Sequence, residues 1–501
     1  MLRSNETTAI DLNDQPVAGK VRLAAGLVAV SVLLTQAVAL GRSVITARLL
    51  TPDDFGLFGM VATVVSAFAA LTIVSLDHAI LPSHLAAEEE AAQRHLDVIW
   101  TAEVIRGLSA TLLMAAAAYP AARFYGRTEL TALLYVTALV PVARGLQNAG
   151  LVALRNRIEF GRLVWHELGA AVVGAVVAVT LAFAIGNVWA LVAGQLAGVI
   201  SGTILSYFLH PHRPRLVYDR DIYSELLRSG KYFTLIGVAS YVTTSADNVA
   251  VGRLLGAETL GVYAVAYGLA SLPAVTITAA VGRSTLPAYA GLADAGSQRI
   301  KLAFSRSLAV GAAALVFVTA PMLGLGPEIV AVLYGEKWVA AGTVLGLLSL
   351  VGLTRGLSVL ISFLLLGLNK PREVAVGKII EVVVFLLLLY PLTSRFGIAG
   401  AAYAGVASYS VALANRLLSI RGWMPGAFGR ALLIISTSAA SGTCAVVAAR
   451  LVLNFVEGDW ARLLVGGTVS MFAGALLLYW LVPGLRSEVR GSVVALALNR
   501  R

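Results

Sequence analysis

Uninterrupted apolar runs of about 20 residues recur along the whole chain, and a run of that length has one ready physical reading. Twenty helical residues rise about 30 Å, the thickness of the hydrocarbon core of a bilayer. The runs are continuous and not alternating, so the backbone is satisfied within helices and not in a closed barrel. Composition points the same way. Of 501 residues, 58% are hydrophobic and 13% charged, against roughly 45–50% and 25% in soluble domains. Three soluble domains, the reading length alone suggests, are excluded. We expect an all-α polytopic membrane protein.

Spans are expected near 23–47, 57–80, 96–119, 129–150, 165–185, 188–208, 231–251, 259–281, 302–325, 340–367, 374–392, 397–418, 429–449 and 461–482. That makes about 14. Loops are short throughout, leaving no room for a soluble catalytic domain, so the chain is not read as an enzyme. The single cysteine, Cys444, permits neither an intrachain disulfide nor a cysteine metal cluster. No cofactor is implied. The net charge of +11 is assigned to basic cytoplasmic loops and not to nucleic acid.

Lys and Arg set the orientation. With the N-terminus in the cytoplasm, that side receives about 25 of them and the outer side about 9. The 209–231 loop is richest, with Arg213, Arg215, Arg220, Arg228 and Lys231, and the tail carries Arg486, Arg490, Arg500 and Arg501. Trp100, Trp165, Trp189, Trp338, Trp460 and Trp480 fall at expected span ends, where amphipathic rings favour the interface. Ala37-Val38-Ala39 resembles a signal-peptidase site, but the first span is read as part of the fold.

An internal repeat organises the chain. RLLTPDDFGLF (48–58) aligns with RLLGAETLGVY (253–263) at an offset of 205. Phe124-Tyr125-Gly126 matches Leu333-Tyr334-Gly335 at 209, and Arg144-Gly145-Leu146 matches Arg355-Gly356-Leu357 at 211. The stretch from Gly186 sits opposite that from Gly397, again at 211. Each unit holds six spans, so both copies share one topology and relate by a pseudo-twofold axis along the membrane normal. The expected organisation is a cytoplasmic segment (1–22), an N-lobe (23–208), a basic linker (209–230), a C-lobe (231–418), an extra helix pair (429–482) and a basic cytoplasmic tail (483–501). Two facing lobes imply a central cavity opened to either side by rocking, which is a transporter's architecture.

The strings ITARLLTPDDFGLFGMVATV (45–64), VALRNRIEFGRL (152–163) and ADNVAVGRLLGAETLGVYAVAYGLA (246–270) resemble the polysaccharide transporter family. Its members are oligosaccharide repeat-unit flippases, related to multidrug and toxin extrusion proteins and to the lipid II flippase. The first string resembles the exopolysaccharide and lipopolysaccharide branch, of colanic-acid and succinoglycan type. The resemblance implies a multi-pass protein of the bacterial inner membrane with a MATE-like fold; a monomer is expected because the cavity lies between two lobes of one chain. It implies as cargo an undecaprenyl-diphosphate-linked oligosaccharide, flipped to the periplasmic leaflet, and as partners a polysaccharide polymerase and a chain-length regulator.

Charged groups inside spans cost roughly 2.5–3.5 kcal/mol each at a helix centre and are the first candidates for function. They are Arg42, Glu103, Arg106, Arg144, Asp247, Arg355 and Glu381. Arg42 is expected to contact the diphosphate. It lies six residues before Arg48, and by resemblance the lipid II flippase has a cavity arginine at a similar place. Asp247 is its repeat mate, so the two are expected to face each other across the cavity and to pair in one state; Asp247 is also the candidate for a coupling ion. Glu103 with Arg106 reads as a local ion pair, Lys378 with Glu381 as an interfacial one, and Arg144 with Arg355 as sharing a structural role. Arg48 and Arg253 are expected to satisfy helix C-terminal carbonyls. Thr51-Pro52-Asp53 reads as a turn with proline opening a helix. Gly194, Gly198 and Gly202 form a close-packing row. His210 and His212 make a poor metal site, and Glu88-Glu89-Glu90 a solvated face. With no Walker A sequence, transport must draw on an ion gradient, on the substrate gradient or on removal of product. The competing readings are a cation-coupled multidrug exporter, which an acidic cavity favours, and a membrane polymerase, which a long outer catalytic loop favours.

Overall fold

The structure is a computed structural model describing residues 15–71, 89–156, 160–292 and 297–482. Among the described residues there are sixteen α-helices and no strand. The N-lobe holds α1 (Gln15–Leu49), α2 (Pro52–Leu71), α3 (Glu89–Tyr125), α4 (Glu129–Thr137), α5 (Leu139–Gly145), α6 (Gly150–Asn156), α7 (Phe160–Ile185) and α8 (Trp189–Leu209). The C-lobe holds α9 (Arg220–Leu255), α10 (Ala257–Leu292), α11 (Ser297–Gly324), α12 (Gly326–Tyr334), α13 (Val339–Gly367) and α14 (Pro371–Trp423). The extra pair is α15 (Pro425–Leu453) and α16 (Asp459–Leu481), packed on α11 and α12.

Among the described residues, eleven helices are long and apolar enough to cross a membrane. α14 crosses twice, because Gly397 (φ 61°, ψ −141°) folds it back on itself. α4 and α5 form one crossing, broken at Ala138 because Pro141 has no N–H for the Thr137 carbonyl. α9 completes the set. It is less apolar because Thr243, Ser245 and Asp247 are buried within the protein instead of facing lipid. This gives the expected fourteen crossings.

Glycines confirm the count. Positive φ occurs at Gly126, Gly186, Gly256, Gly335, Gly397 and Gly458. Each sits where two successive crossings meet at the same end of the bundle, and only the α1–α2 connection at that end lacks one. We call it the turn end, and the opposite end, which carries the connection between lobes, the linker end. A left-handed residue reverses the chain in minimal length, and glycine occupies it without steric cost. Gly126 with Gly335, and Gly186 with Gly397, are the repeat matches noted above.

The α1–α2 turn uses a capping box in place of glycine. The Thr51 backbone N–H donates to Asp54 Oδ2 at 3.0 Å, and the Asp54 N–H donates back to Thr51 Oγ1 at 3.2 Å. Pro52 opens α2, as expected. Asp54 Oδ1 also accepts from the Val188 N–H at 2.9 Å, tying this turn to the start of α8.

Reciprocal contacts display the pseudo-twofold axis. A Cβ on Gly56 would lie 1.7 Å from the Ala257 carbonyl oxygen, and one on Gly261 would lie 1.8 Å from that of Pro52. Ala257 is the repeat mate of Pro52, and Gly261 that of Gly56. Each α2/α10 start therefore seats its glycine on the backbone of the other. The largest buried core surrounds this junction and draws on both lobes, with Met60, Tyr263, Tyr334 and Trp338 fully or almost fully buried.

The inter-lobe connection is shorter than expected. The extended segment covers only 210–219, because α9 begins at Arg220. Residues 1–14 and 483–501 of the expected terminal segments and Glu88 lie outside the described residues, whereas α1 begins at Gln15, within the expected N-terminal segment, and Glu89 and Glu90 open α3.

Candidate functional site

Two cavities flank α1. The first, about 440 Å³, lies between the lobes. It is bounded by α1, α2, α9 and α10 and closed off by Tyr334 of α12. Its polar lining is neutral: Gln36, Ser43, Thr63, Ser66, Ser245, Asn248 and Ser271. Asn248 Oδ1 has no hydrogen-bond partner among the described residues. The repeat mates Leu40 and Ser245, and Ser43 and Asn248, both face this space. It is the central cavity that two lobes imply.

Arg42 and Asp247 do not face each other across it. Each sits one residue, about 100° of helix rotation, from a lining position. Each points into its own lobe instead. Asp247 is 4% exposed; Tyr263 Oη donates to its Oδ2 at 2.8 Å and the Asn248 N–H donates to its Oδ1 at 2.9 Å.

Arg42 lines the second cavity, about 700 Å³, inside the N-lobe. Arg144 and Gln147 line it from the end of the fourth crossing, His166 and Glu167 from α7, and Gln195 from α8. Neither Arg42 nor Arg144 has an ion-pair or side-chain hydrogen-bond partner among the described residues. Glu167 accepts a long 3.4 Å bond from Ser31. The Gln195 carbonyl oxygen and the Thr35 hydroxyl, also on the wall, are buried without partners. Gly194, Gly198 and Gly202 make this pocket possible. They bring α8 against Gly174 and Ala170 of α7, the expected close packing, and expose polar wall where side chains would stand.

The repeat mates of the two arginines sit in a different environment. In the C-lobe the same positions are Asp247 and Arg355, within electrostatic reach of one another. Arg355 lines only a small crevice beside Tyr267. Further along, Lys378 Nζ donates to Glu381 at 2.6 Å and to Thr243 at 2.9 Å, while Arg416 lies 3.8 Å from the same carboxylate and hydrogen-bonds Ser358. The expected Lys378–Glu381 pair forms, with the carboxylate buried and the lysine a third exposed. The expected common role for Arg144 and Arg355 does not follow: one is unpaired in an open pocket, the other embedded in a charge-compensated network. Glu103 and Arg106 do form the expected i,i+3 ion pair.

The turn end is shut by an exchange of helix caps between lobes. Arg48 donates from Nε to the Leu333 carbonyl at 3.0 Å and from Nη2 to that of Val332 at 2.7 Å. In return, Lys337 Nζ donates to the carbonyls of Arg48 (3.0 Å) and Leu50 (2.6 Å), and the Trp338 indole N–H to that of Ala47 at 2.8 Å. Arg48 thus satisfies helix-end carbonyls as expected, but those of the opposite lobe. Its repeat mate Arg253 stacks on Phe124, the mate of Leu333. Trp338 is fully buried and so does not act as the interfacial anchor expected.

At the linker end, His212 lies 3.1 Å from Asp97 of α3, an acidic neighbour remote in sequence. Burial holds its imidazole below the ordinary histidine value, against the pull of Asp97. Among the described residues no group of three metal-ligating side chains forms. Sequence reasoning missed Lys337, Arg416, Glu167 and Glu328, the last a buried carboxylate in α12. Glu167 and Arg416 carried a signal, as charges near the ends of the expected spans 165–185 and 397–418.

The family described as polysaccharide biosynthesis protein matches residues 45–342. The succinoglycan biosynthesis transport protein ExoT of Rhizobium meliloti (strain 1021) is 28% identical over 314 residues, 61% of this chain and 61% of that protein's length. The lipid II flippase MurJ, in an inward closed conformation, superposes with a TM-score of 0.75 at 13% identity, covering 90% of this chain and 97% of that one. An inward-facing multidrug resistance MATE family transporter gives 0.65 at 18%, covering 78% and 95%. These two establish the fold. The family match spans more than half of the sequence, and the chain belongs to the polysaccharide biosynthesis protein family.

Proposed function

We propose that this protein flips undecaprenyl-diphosphate-linked oligosaccharide repeat units across the bacterial inner membrane, from the cytoplasmic to the periplasmic leaflet, for exopolysaccharide or lipopolysaccharide synthesis. One observation carries the reading: Arg42 and Arg144, which have no partner among the described residues, line a membrane-embedded pocket beside a cavity of neutral polar lining. An unpaired charge inside a span is costly unless a ligand or water satisfies it. Guanidinium groups bind phosphate oxygens bidentately. Hydroxyl and amide groups suit sugar hydroxyls. In this reading the diphosphate engages Arg42 and Arg144, and the saccharide occupies the central cavity. ExoT's name, a succinoglycan transport protein, agrees with such a cargo.

The turn end is assigned to the periplasm, with both termini cytoplasmic, so the structure is closed outward. Asp247 is the candidate for a coupling proton or sodium ion, held by Tyr263 until the C-lobe rearranges. The protein acts as a monomer, alongside a polymerase and a chain-length regulator, and as a transporter, not an enzyme. A multidrug exporter of the same fold would carry small cations, and the absence of any acidic residue from the described lining of the central cavity weighs against it.

Deleting the gene and extracting lipid-linked oligosaccharides, with a polymer assay in parallel, tests the proposal. Complete repeat units held on the cytoplasmic side with polymer lost is the expected result. Normal polymer with raised sensitivity to cationic drugs would move the protein to the multidrug class. Units reaching the outer leaflet unjoined would make it a polymerase component.

A further inference from the structure

A third cavity, of about 560 Å³, opens at the turn end where the lobes are locked. Its size lies within the roughly 300–1,000 Å³ that small-molecule pockets occupy. The walls are Arg48 from the N-lobe, the α12 end with Glu336 and Lys337, and Asp459 and Trp460 at the start of α16. Trp460 is 66% exposed, so its ring is free for a ligand. Arg48 spends Nε and Nη2 on the α12 carbonyls, and Lys337 spends two bonds on the α1 carbonyls. Arg48 keeps Nη1, and Lys337 one N–H, for a ligand. Glu336 and Asp459 form no ion pair or side-chain hydrogen bond among the described residues, so the same pocket offers carboxylate acceptors.

We infer that this pocket is a carbohydrate-binding subsite. A simple anion would call for donors alone, a cation for acceptors alone and a lipid tail for an apolar wall. A pyranose ring needs an aromatic plane for its C–H face and both donors and acceptors for its hydroxyls, and Trp460, Arg48, Lys337, Glu336 and Asp459 together provide them. One wall belongs to each lobe. The site is therefore complete only while Arg48 sits on α12, and a sugar bound there favours the state closed at the turn end. On the proposed orientation it meets saccharide in the periplasm, and that biological role rests on the flippase reading; the pocket's chemistry does not.

Full-length protein in nanodiscs should be titrated with glucose, galactose, rhamnose, glucuronate and inorganic pyrophosphate, with binding read by saturation-transfer NMR. At least one sugar is expected to bind saturably and more tightly than pyrophosphate. Trp460→Ala should weaken it about tenfold or more and Trp460→Phe only a few-fold, with thermal unfolding unchanged in both. The Lys337→Ala variant, which opens the lock, should weaken binding without altering Trp460. Absence of saturable sugar binding, binding unaffected by Trp460→Ala, or preference for pyrophosphate would each overturn the assignment. If deletion of the gene spared polymer while the sugar still bound, the flippase reading would fail and the subsite would stand.

Discussion

In the proposed function, Arg42 and Arg144 set the chemistry at the residue scale. A hydrogen bond to a charged group contributes about 1.5–3 kcal/mol, or roughly 10–100-fold in an equilibrium. Arg42→Ala and Arg144→Ala are each expected to reduce polymer export by about that factor at normal protein abundance. Lysine at either position should restore part of it, since an ammonium keeps the charge but not the two-pronged geometry. A transport assay in complemented deletion strains checks both. These residues were legible in sequence because a charge inside an apolar run is conspicuous. Their direction was not. The resemblance to the lipid II flippase and the repeat mate Asp247 place Arg42 at the central cavity, but a single step of helix rotation from the lining Ser43 turns it into the N-lobe. The repeat also misled by suggesting equivalence. Arg144 and Arg355 align, yet what surrounds each, Arg42 in one lobe and Asp247 in the other, decides whether the charge is free or compensated.

At the element scale, the turn between α1 and α2 and its mate between α9 and α10 control closure. Gly56→Ala and Gly261→Ala put a methyl group where the other lobe's backbone stands, at 1.7 and 1.8 Å. Neither contact can be relieved by a side-chain movement, so both variants should fail to close the turn end and should share one phenotype. Trp338→Ala removes a fully buried ring and the Ala47 cap, at a cost of about 3–5 kcal/mol. In a Cys444→Ser background, a cysteine placed at Ser43 should then react with an impermeant thiol reagent added from the turn side. Protection equal to that of the unmodified lock would contradict the cap exchange. The linker end carries the pH dependence. His212 has its imidazole held below the ordinary value by burial, so the neutral form favours docking on α3. Docking is complete above about pH 6.5 and weakens as pH falls through that value toward the lowered one. Protease cleavage within 210–219 should rise on acidification, and His212→Gln should flatten the response. The sequence disclosed the turns, because glycine at a reversal has a local cause. It concealed Lys337, Trp338 and Asp97, whose partners lie 115 to 291 residues away.

For the whole molecule, two copies of one six-crossing unit have diverged around a common axis. Shared features are those that the fold needs: turn glycines, the seated Gly56 and Gly261, and the arginines beside the α3 and α12 ends. Divergent features are the buried charges: among the described residues two arginines without partners in one lobe, and a compensated network in the other. The architecture of fourteen crossings and two lobes was readable because hydrophobic length and repeat offset are properties of the chain alone. Where the pockets lie was not, because that depends on how the lobes are rotated against each other.

In the proposed function, the N-lobe arginines carry the anionic head of a lipid-linked oligosaccharide through the membrane. The most direct test is the sidedness of that lipid in a deletion strain complemented with the Arg42→Ala/Arg144→Ala double variant at wild-type abundance. Complete repeat units held in the cytoplasmic leaflet, as in the uncomplemented deletion, is the expected result. Repeat units reaching the periplasmic leaflet at the wild-type rate would contradict the account.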